Sequence, residues 1–277
     1  MKKYVLAVSG GVDSVVLLDM LSRTPNLDLI VAHFDHGIRD DSAEDANFVA
    51  ELAKKYNLPF EMKREELGKN VSEEIARIRR YDFLRSIAYK YNAKLVTAHH
   101  ADDVIETIAI NLSRGTGWRG AAAMDSDIIR PMTNIMKSEI INYATQNNLK
   151  WREDITNFDD DYLRNRLRHQ MGELDNDSKR QLLALWSEQK SLKRLIDQEV
   201  KVLVGDSKKY SRYFFININN ATGVECLRQI VDAKLTRPQL LKALHAIKTV
   251  LPQKTYHAGG GVQFNFTSRN FTVELIK

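Results

Sequence analysis

The sequence predicts an α/β chain: a doubly wound parallel sheet, then a second, smaller, mainly helical domain ending in a β-hairpin. Three observations predict it. Through residues 1–150, short apolar runs alternate with segments whose apolar residues recur at the helical period. Polar loops rich in glycine, histidine or aspartate follow several of those runs, where a parallel sheet gathers its ligand-binding loops. Net charge then changes sign: residues 1–175 carry −4 and residues 176–277 carry +9. The expected boundary therefore lies between 175 and 176.

The elements follow in order. The strands are Tyr4–Val8, Leu29–Phe34, Phe60–Lys63, Lys94–Ala98 and Ile128–Arg130. A helix begins near Ser14 and carries Val15 to Leu21. Ser42–Tyr56 has apolar residues at Ala46, Val49, Ala50 and Ala53, and Ser72–Tyr91 at Ile75, Ile78, Phe83, Leu84, Ile87 and Ala88. Asp102–Ser113 follows with Val104, Ile105, Ile108, Ala109 and Leu112, and Asp102 is a suitable N-cap. Lys137–Asn148 and Arg164–Met171 close the first domain. Leu174–Ser178 is a polar junction, and a long helix runs over Lys179–Val204 until Gly205-Asp206-Ser207 breaks it. Helices at Thr222–Ala233 and Pro238–Thr249 precede a hairpin of Val262–Phe266 and Phe271–Ile276, with Pro238 suited to a first turn.

Composition excludes several classes. The 277 residues, 43% hydrophobic and 28% charged, suit one or two globular domains. No run approaches the ~20 apolar residues of a membrane helix, and no signal segment precedes the first strand. Cys226 is the only cysteine, which excludes an intramolecular disulfide and an all-cysteine metal site. These features read as cytoplasmic, with no membrane partner. The basic C-terminal third suggests a polyanion docking there; a solvated basic surface is the plainer alternative.

Ser9-Gly10-Gly11-Val12-Asp13-Ser14 joins the first strand to the first helix. Gly10 and Gly11 allow positive φ and close approach to an anion, and the helix adds free N–H groups. Ser9 and Ser14 supply hydroxyls and Asp13 a carboxylate for Mg²⁺. The loop lacks the Gly-Lys-Ser/Thr of a Walker A loop and the GxGxxG of a dinucleotide site. An ordinary tight turn is the alternative, and the flanking strand and helix weigh against it.

Ala32-His33-Phe34-Asp35-His36-Gly37-Ile38-Arg39 follows the second strand, and His33 is a candidate nucleotide contact. In Glu73–Tyr81, Arg77 and Arg80 lie three apart and share a helix face suited to phosphate, although on their own a solvated basic face explains them better. Thr97-Ala98-His99-His100-Ala101-Asp102-Asp103-Val104-Ile105-Glu106-Thr107 opens a helix over the same crevice. Asp103 and Glu106 lie on one face there, able to share Mg²⁺ or neutralise an ammonium group; capping alone is the alternative. Arg114–Gly120 is a basic, glycine-rich loop able to close over a substrate, and Trp151–Asn157 with Leu163–His169 forms a basic segment suited to sugar–phosphate.

SGGVDS resembles the pyrophosphate loop of the N-type ATP pyrophosphatases. The ordered set SGGVDS, HFDHGIR, EEIARIRRY, TAHHADDVIET, RGTGWRG, IIRPM, WREDITN and RNRLRH resembles the tRNA(Ile)-lysidine synthetase family over about residues 1–170. Leu235–Leu240 and His257–Val262 resemble that family's tRNA-recognition region more weakly, and the chain resembles a short form with a single appended module. The resemblance implies a Rossmann-like, adenine-nucleotide-α-hydrolase-like fold. It implies an ATP-pyrophosphatase domain at 1–175 and a basic tRNA-binding domain at 176–277. The implied partners are ATP, Mg²⁺, free L-lysine and an isoleucine tRNA with a CAU anticodon; the oligomeric state stays open, a homodimer included.

The reaction implied is attack of the wobble cytidine carbonyl on the α-phosphate of ATP, then displacement of AMP by the lysine ε-amine. Ser9, Gly10, Gly11, Val12, Asp13, Ser14 and His33 would bind nucleotide, and Asp13 and Asp103 the metal. Asp13, Arg80, His99, Asp103 and Glu106 would be catalytic, with Asp103 and Glu106 receiving the lysine ammonium. Rival readings are a tRNA thiolase, which needs cysteines this domain lacks, an amidating synthetase, and a non-catalytic nucleotide-regulated RNA-binding protein, which needs no metal carboxylates.

Overall fold

The computed structural model describes residues 2–37, 42–68, 71–152 and 174–276. The helix expected over Arg164–Met171, the RNRLRH segment, Glu153–Asn157 and Arg39 lie outside the described residues. Strands β1 (Lys2–Ala7), β2 (Leu27–Asp35), β3 (Phe60–Arg64) and β4 (Lys94–Val96) form a parallel sheet ordered β3-β2-β1-β4. With them come α1 (Val12–Ser22), α2 (Ser42–Lys55), α3 (Glu73–Lys90), α4 (Ala101–Ser113), α5 (Trp118–Ala121) and α6 (Lys137–Gln146).

Strand alternation shows why helices cover both faces. Leu6, Leu29 and Val31 pack with Val15 to Leu18 of α1, Val49 and Leu52 of α2, and Ile140 and Ala144 of α6. Val5, Ile30 and Ala32, one residue out of phase, pack with Phe83, Leu84 and Ile87 of α3. The strand order reverses beside β1, so the loops after β1 and β4 open on one crevice. The strand expected over Ile128–Arg130 is reduced to one parallel bridge, Val96 to Ile129. Ile129 N–H donates to Leu95 O at 2.9 Å and Thr97 N–H to Ile129 O at 3.0 Å. Pro131 follows and has no N–H to extend the ladder.

The chain divides into two compact units, residues 1–115 with 123–186 and residues 116–122 with 187–277. The expected 175/176 boundary lies inside the first unit. The reason is α7 (Asn176–Val204), whose Leu183 and Trp186 pack with Val104, Ile105 and Ile108 of α4. Asp175 starts α7 ahead of the expected Lys179 by accepting the Ser178 N–H at 2.7 Å.

The second unit continues with β5 (Lys209–Ser211), α8 (Arg212–Asn217), α9 (Asn220–Ile230), α10 (Arg237–Thr249), β6 (Thr255–Gly259), β7 (Val262–Phe266) and β8 (Asn270–Leu275). The expected hairpin is present as β7 and β8, and it sits inside a four-stranded antiparallel sheet ordered β5-β8-β7-β6. Phe215, Phe264 and Phe271 are its most buried rings. Among the described residues, no helix is long and apolar enough to cross a membrane.

Arg212 is only 7% exposed and faces carbonyls in place of a carboxylate. It donates to Ile247 O at 2.9 Å, Thr267 O at 3.1 Å and Val250 O at 2.7 Å. It therefore satisfies the C-terminal carbonyls of α10, which a helix cannot satisfy itself. Arg212→Met keeps the apolar stem and orphans those acceptors. Denaturant unfolding of the full chain should show a loss of about 2–4 kcal/mol; a loss under about 0.5 kcal/mol would mean that water replaces the guanidinium.

Candidate active site

The loop after β1 braces itself. Ser14 Oγ donates to Gly11 O at 2.9 Å and accepts the Ser9 and Gly10 N–H groups, each at 3.2 Å. Its hydroxyl, expected to face phosphate, is spent inside the loop. Only Gly10 adopts positive φ, at 97°; Gly11 is extended, at φ −70° and ψ 159°, and caps α1 without a side-chain bond. The opening amides of α1, from Val12, Asp13 and Ser14, have no helical acceptor by construction, which is what an anion site requires. Two outside struts hold the loop. The buried His33 ring donates from Nδ1 to Val8 O at 2.8 Å. Arg152 gives its N–H to Gly10 O at 3.0 Å, and its guanidinium pairs with Asp45 at 2.8 Å and Glu44 at 2.9 Å. His33 and Arg152, expected to touch nucleotide and RNA, are both engaged in supporting the loop.

The loop after β4 brings the carboxylates. α4 begins at Ala101, so its cap is His100 and not the expected Asp102. Asp103 reaches back to accept the His100 N–H at 2.9 Å. His100, 8% exposed, has Nε2 3.5 Å from Asp103 Oδ2 and 3.9 Å from Asp13 Oδ1. Asp13 and Asp103, from different strand ends, thus flank one imidazole edge. Glu106 is buried one turn along α4. Burial raises the Asp103 pKa, and the Asp13 and Glu106 charges add to this against an opposing pull from His100. Asp102 moves the other way. Burial would raise it, but Lys179 Nζ at 2.7 Å and the Lys137 N–H at 2.8 Å more than offset that.

His99 and Arg80 form a second group. Thr97 Oγ1 lies 2.8 Å from His99 Nδ1. Burial first, then the charges of Arg130, Arg77 and Arg80, push the His99 pKa down to about 3. Arg77 and Arg80 both lie against the Tyr81 ring, at 4.9 and 5.4 Å from its centroid. A neutral imidazole beside guanidinium groups is an environment that prefers an anion.

The donor set fits a hard cation. Asp13 and Asp103 offer oxygens, and Mg²⁺ is commonly held by one or two carboxylates plus phosphate and water. Among the described residues no set of three His, Cys, Asp or Glu converges on one point, so the protein alone makes no closed cage. The loop Arg114–Gly120, expected to close over a substrate, is held at Arg119 within the second unit. Arg119 donates to Asp197 at 2.6 Å and Glu225 at 2.7 Å.

Sequence reasoning missed His100, Lys137 and Lys179. Lys137 Nζ donates to Asp13 Oδ1 at 2.5 Å, on a side chain 38% exposed. A signal was present: Lys137 opens α6 and Lys179 lies near the start of α7, where a helix dipole disfavours a cation. Each is offset by an aspartate that the linear pattern does not reveal.

The PP-loop domain family matches residues 1–174. A tRNA(Ile)-lysidine synthase of Thermosipho africanus is 40% identical over 185 residues, which is 61% of this chain and 43% of that protein. One from Rickettsia bellii is 33% identical over 231 residues, covering 78% of this chain and 53% of the relative. The chain thus matches about half the length of these curated relatives. Among solved structures, the U34-tRNA thiolase NcsA of Methanococcus maripaludis with its [4Fe-4S] cluster superposes with a TM-score of 0.58 at 18% identity, covering 69% of this chain and 71% of that one. That likeness is one of fold.

The His99 environment is testable. Its ring should remain neutral from pH 8 to pH 5 in an NMR titration of the folded chain, the pKa being about 3. The unfolded chain binds this proton near the ordinary pH of about 6.5. Acid therefore favours unfolding, and the contribution is lost as pH falls from 6.5 toward 3. A His99 signal that titrates above pH 6 would contradict the assigned surroundings.

Proposed function

This chain belongs to the PP-loop domain family, and we propose that it uses ATP to join free lysine to the wobble cytidine of the CAU anticodon of isoleucine tRNA. The product is lysidine, with release of pyrophosphate and AMP. The observation that carries the reading is the meeting of Asp13 and Asp103 across His100 Nε2, beside the braced loop. The curated lysidine synthases among its relatives support the substrate class.

In the first half-reaction the cytidine O2 attacks the α-phosphate, the α–β bond breaks, and pyrophosphate departs with the bonding pair. The amides of Val12, Asp13 and Ser14 would receive the departing phosphates. Asp13 and Asp103 would hold Mg²⁺, which when bound supplies positive charge against the developing anion. Lys137 stands at Asp13 as a second cation. Arg80, in the arginine group around neutral His99, suits the adenylate phosphate.

In the second half-reaction the lysine ε-amine attacks C2 of the activated base and AMP leaves. The amine must first be neutral. Asp103 and Glu106, one turn apart on α4, suit the ammonium, and one of the two suits the proton it gives up. Sulfur transfer is disfavoured. Cys226 is buried in the second unit, and burial with the Glu225 charge pushes its thiol up to about 11. The reading carries a cytoplasmic setting with it.

Two measurements test it. Glu106→Gln should leave ATP–pyrophosphate exchange within about threefold and cut lysine incorporation about 100-fold, with a raised lysine KM, as expected for loss of a buried charge partner. A lysine KM equal to wild type would remove Glu106 from the lysine site. In the second unit, Lys234, Arg237 and Lys242 are exposed around the start of α10. Changing all three to Gln should weaken tRNA binding and flatten its salt dependence by about one slope unit for each phosphate left without its cation. An unchanged slope would move the RNA surface elsewhere.

A further inference from the structure

Asp19 is the most buried carboxylate among the described residues that the proposed chemistry does not use, at 2% exposure. Its oxygens are fully engaged. Tyr56 Oη donates to Oδ1 and Tyr143 Oη to Oδ2, both at 2.7 Å. Arg23 adds bonds at 3.1 Å to Oδ1 and 2.9 Å to Oδ2. Burial raises the Asp19 pKa, but these bonds outweigh it, so the carboxyl is held below its ordinary value. Such a group is a fixed anion with directional partners.

Its position gives it a consequence for the phosphate loop. Asp19 lies six residues after Asp13 on α1, and Tyr143 lies six residues after Lys137 on α6. The pairs Asp13–Lys137 and Asp19–Tyr143 therefore join the same two helices at the same interval. That interval spans about 9 Å of helix at 1.5 Å per residue. Between them Ile140 of α6, and just beyond them Ala144, pack into the core shared with α1. Apolar packing is tolerant of small sliding, because it has no direction; a short hydrogen bond to a buried carboxylate is not. Tyr56 ties the same carboxylate to the end of α2.

We propose that the Asp19–Tyr143 bond is a positioning latch: it fixes the register of α6 on α1 and thereby delivers the Lys137 ammonium to Asp13 at the mouth of the phosphate loop. Tyr143 acts through Lys137 and touches no substrate. The inference rests on reading Ser9–Ser14 as a phosphate loop with Lys137 as one of its cations.

The test uses the full chain with Mg²⁺ and inorganic pyrophosphate, followed by calorimetry, beside the thermal midpoint of each variant. Wild type should bind pyrophosphate, and Lys137→Met should weaken binding at least tenfold. Failure of either result removes the phosphate-site reading and the latch with it. Given both, Tyr143→Phe should weaken binding about fivefold, and the double variant Tyr143→Phe with Lys137→Met should be no weaker than Lys137→Met alone. Tyr143→Gln, which retains a donor, should recover part of the loss, and it carries the comparison where the phenylalanine variant does not fold. Tyr56→Phe should lower the thermal midpoint and leave pyrophosphate affinity within twofold. The latch is overturned, with the phosphate loop intact, if Tyr143→Phe or the folded Tyr143→Gln binds like wild type and melts lower. It is equally overturned if the losses of Tyr143→Phe and Lys137→Met multiply in the double variant.

Discussion

Lys137 stands at the wrong end of its own helix, and the Asp13 carboxylate is what makes that position tenable. A cation at a helix N-terminus meets the positive end of the dipole. The 2.5 Å bond to Asp13 Oδ1 offsets that conflict and draws α6 onto the loop after β1. Asp13 gains in turn, since it sits beside Asp103, whose pKa is raised first by burial and then by the Asp13 charge. Much of the crevice follows from this pair. The Lys137 N–H holds Asp102, Asp102 holds Lys179, and His100 lies among the three aspartates. The loop itself stays open because its serines and glycines satisfy one another.

The parallel sheet and its helices were legible because both faces are covered. Val5 and Leu6, adjacent in sequence, enter opposite cores, which is why the strands read as continuous apolar runs. The C-terminal sheet was legible only in part. β7 alternates cleanly, with Val262, Phe264 and Phe266 inward. β5 is three residues long and β6 ends in glycine, so neither carries a period to detect. Ile128–Arg130 reads as a strand by composition, yet Pro131 leaves it a single bridge. The second-unit affiliation of Thr116–Ala122 depends on Arg119 meeting Asp197 and Glu225, partners 78 and 106 residues away.

In the site, residue types were legible and their duties less so. SGGVDS announces an anion loop, but composition does not show that Ser14 braces it or that only Gly10 needs positive φ. His33 and Arg152 carry the residue types of ligand contacts and are engaged as struts. Pattern arguments find groups capable of touching a ligand. They cannot say which of those groups the protein has already used on itself, because that depends on atoms brought together by the fold.

Asp102 and Asp103 show the same limit at its sharpest. They are neighbours of one type, yet their pKa values move in opposite directions. Successive helical residues point about 100° apart, so one aspartate turns to Lys179 and the other toward Asp13 and Glu106. Two neighbouring aspartates can thus be given opposite pKa shifts, provided the surroundings differ. The difference comes from Lys179, 77 residues downstream on the first turns of α7. The motif HHADD therefore names the acids, and Lys179, on the helix that follows, lowers the pKa of one of them.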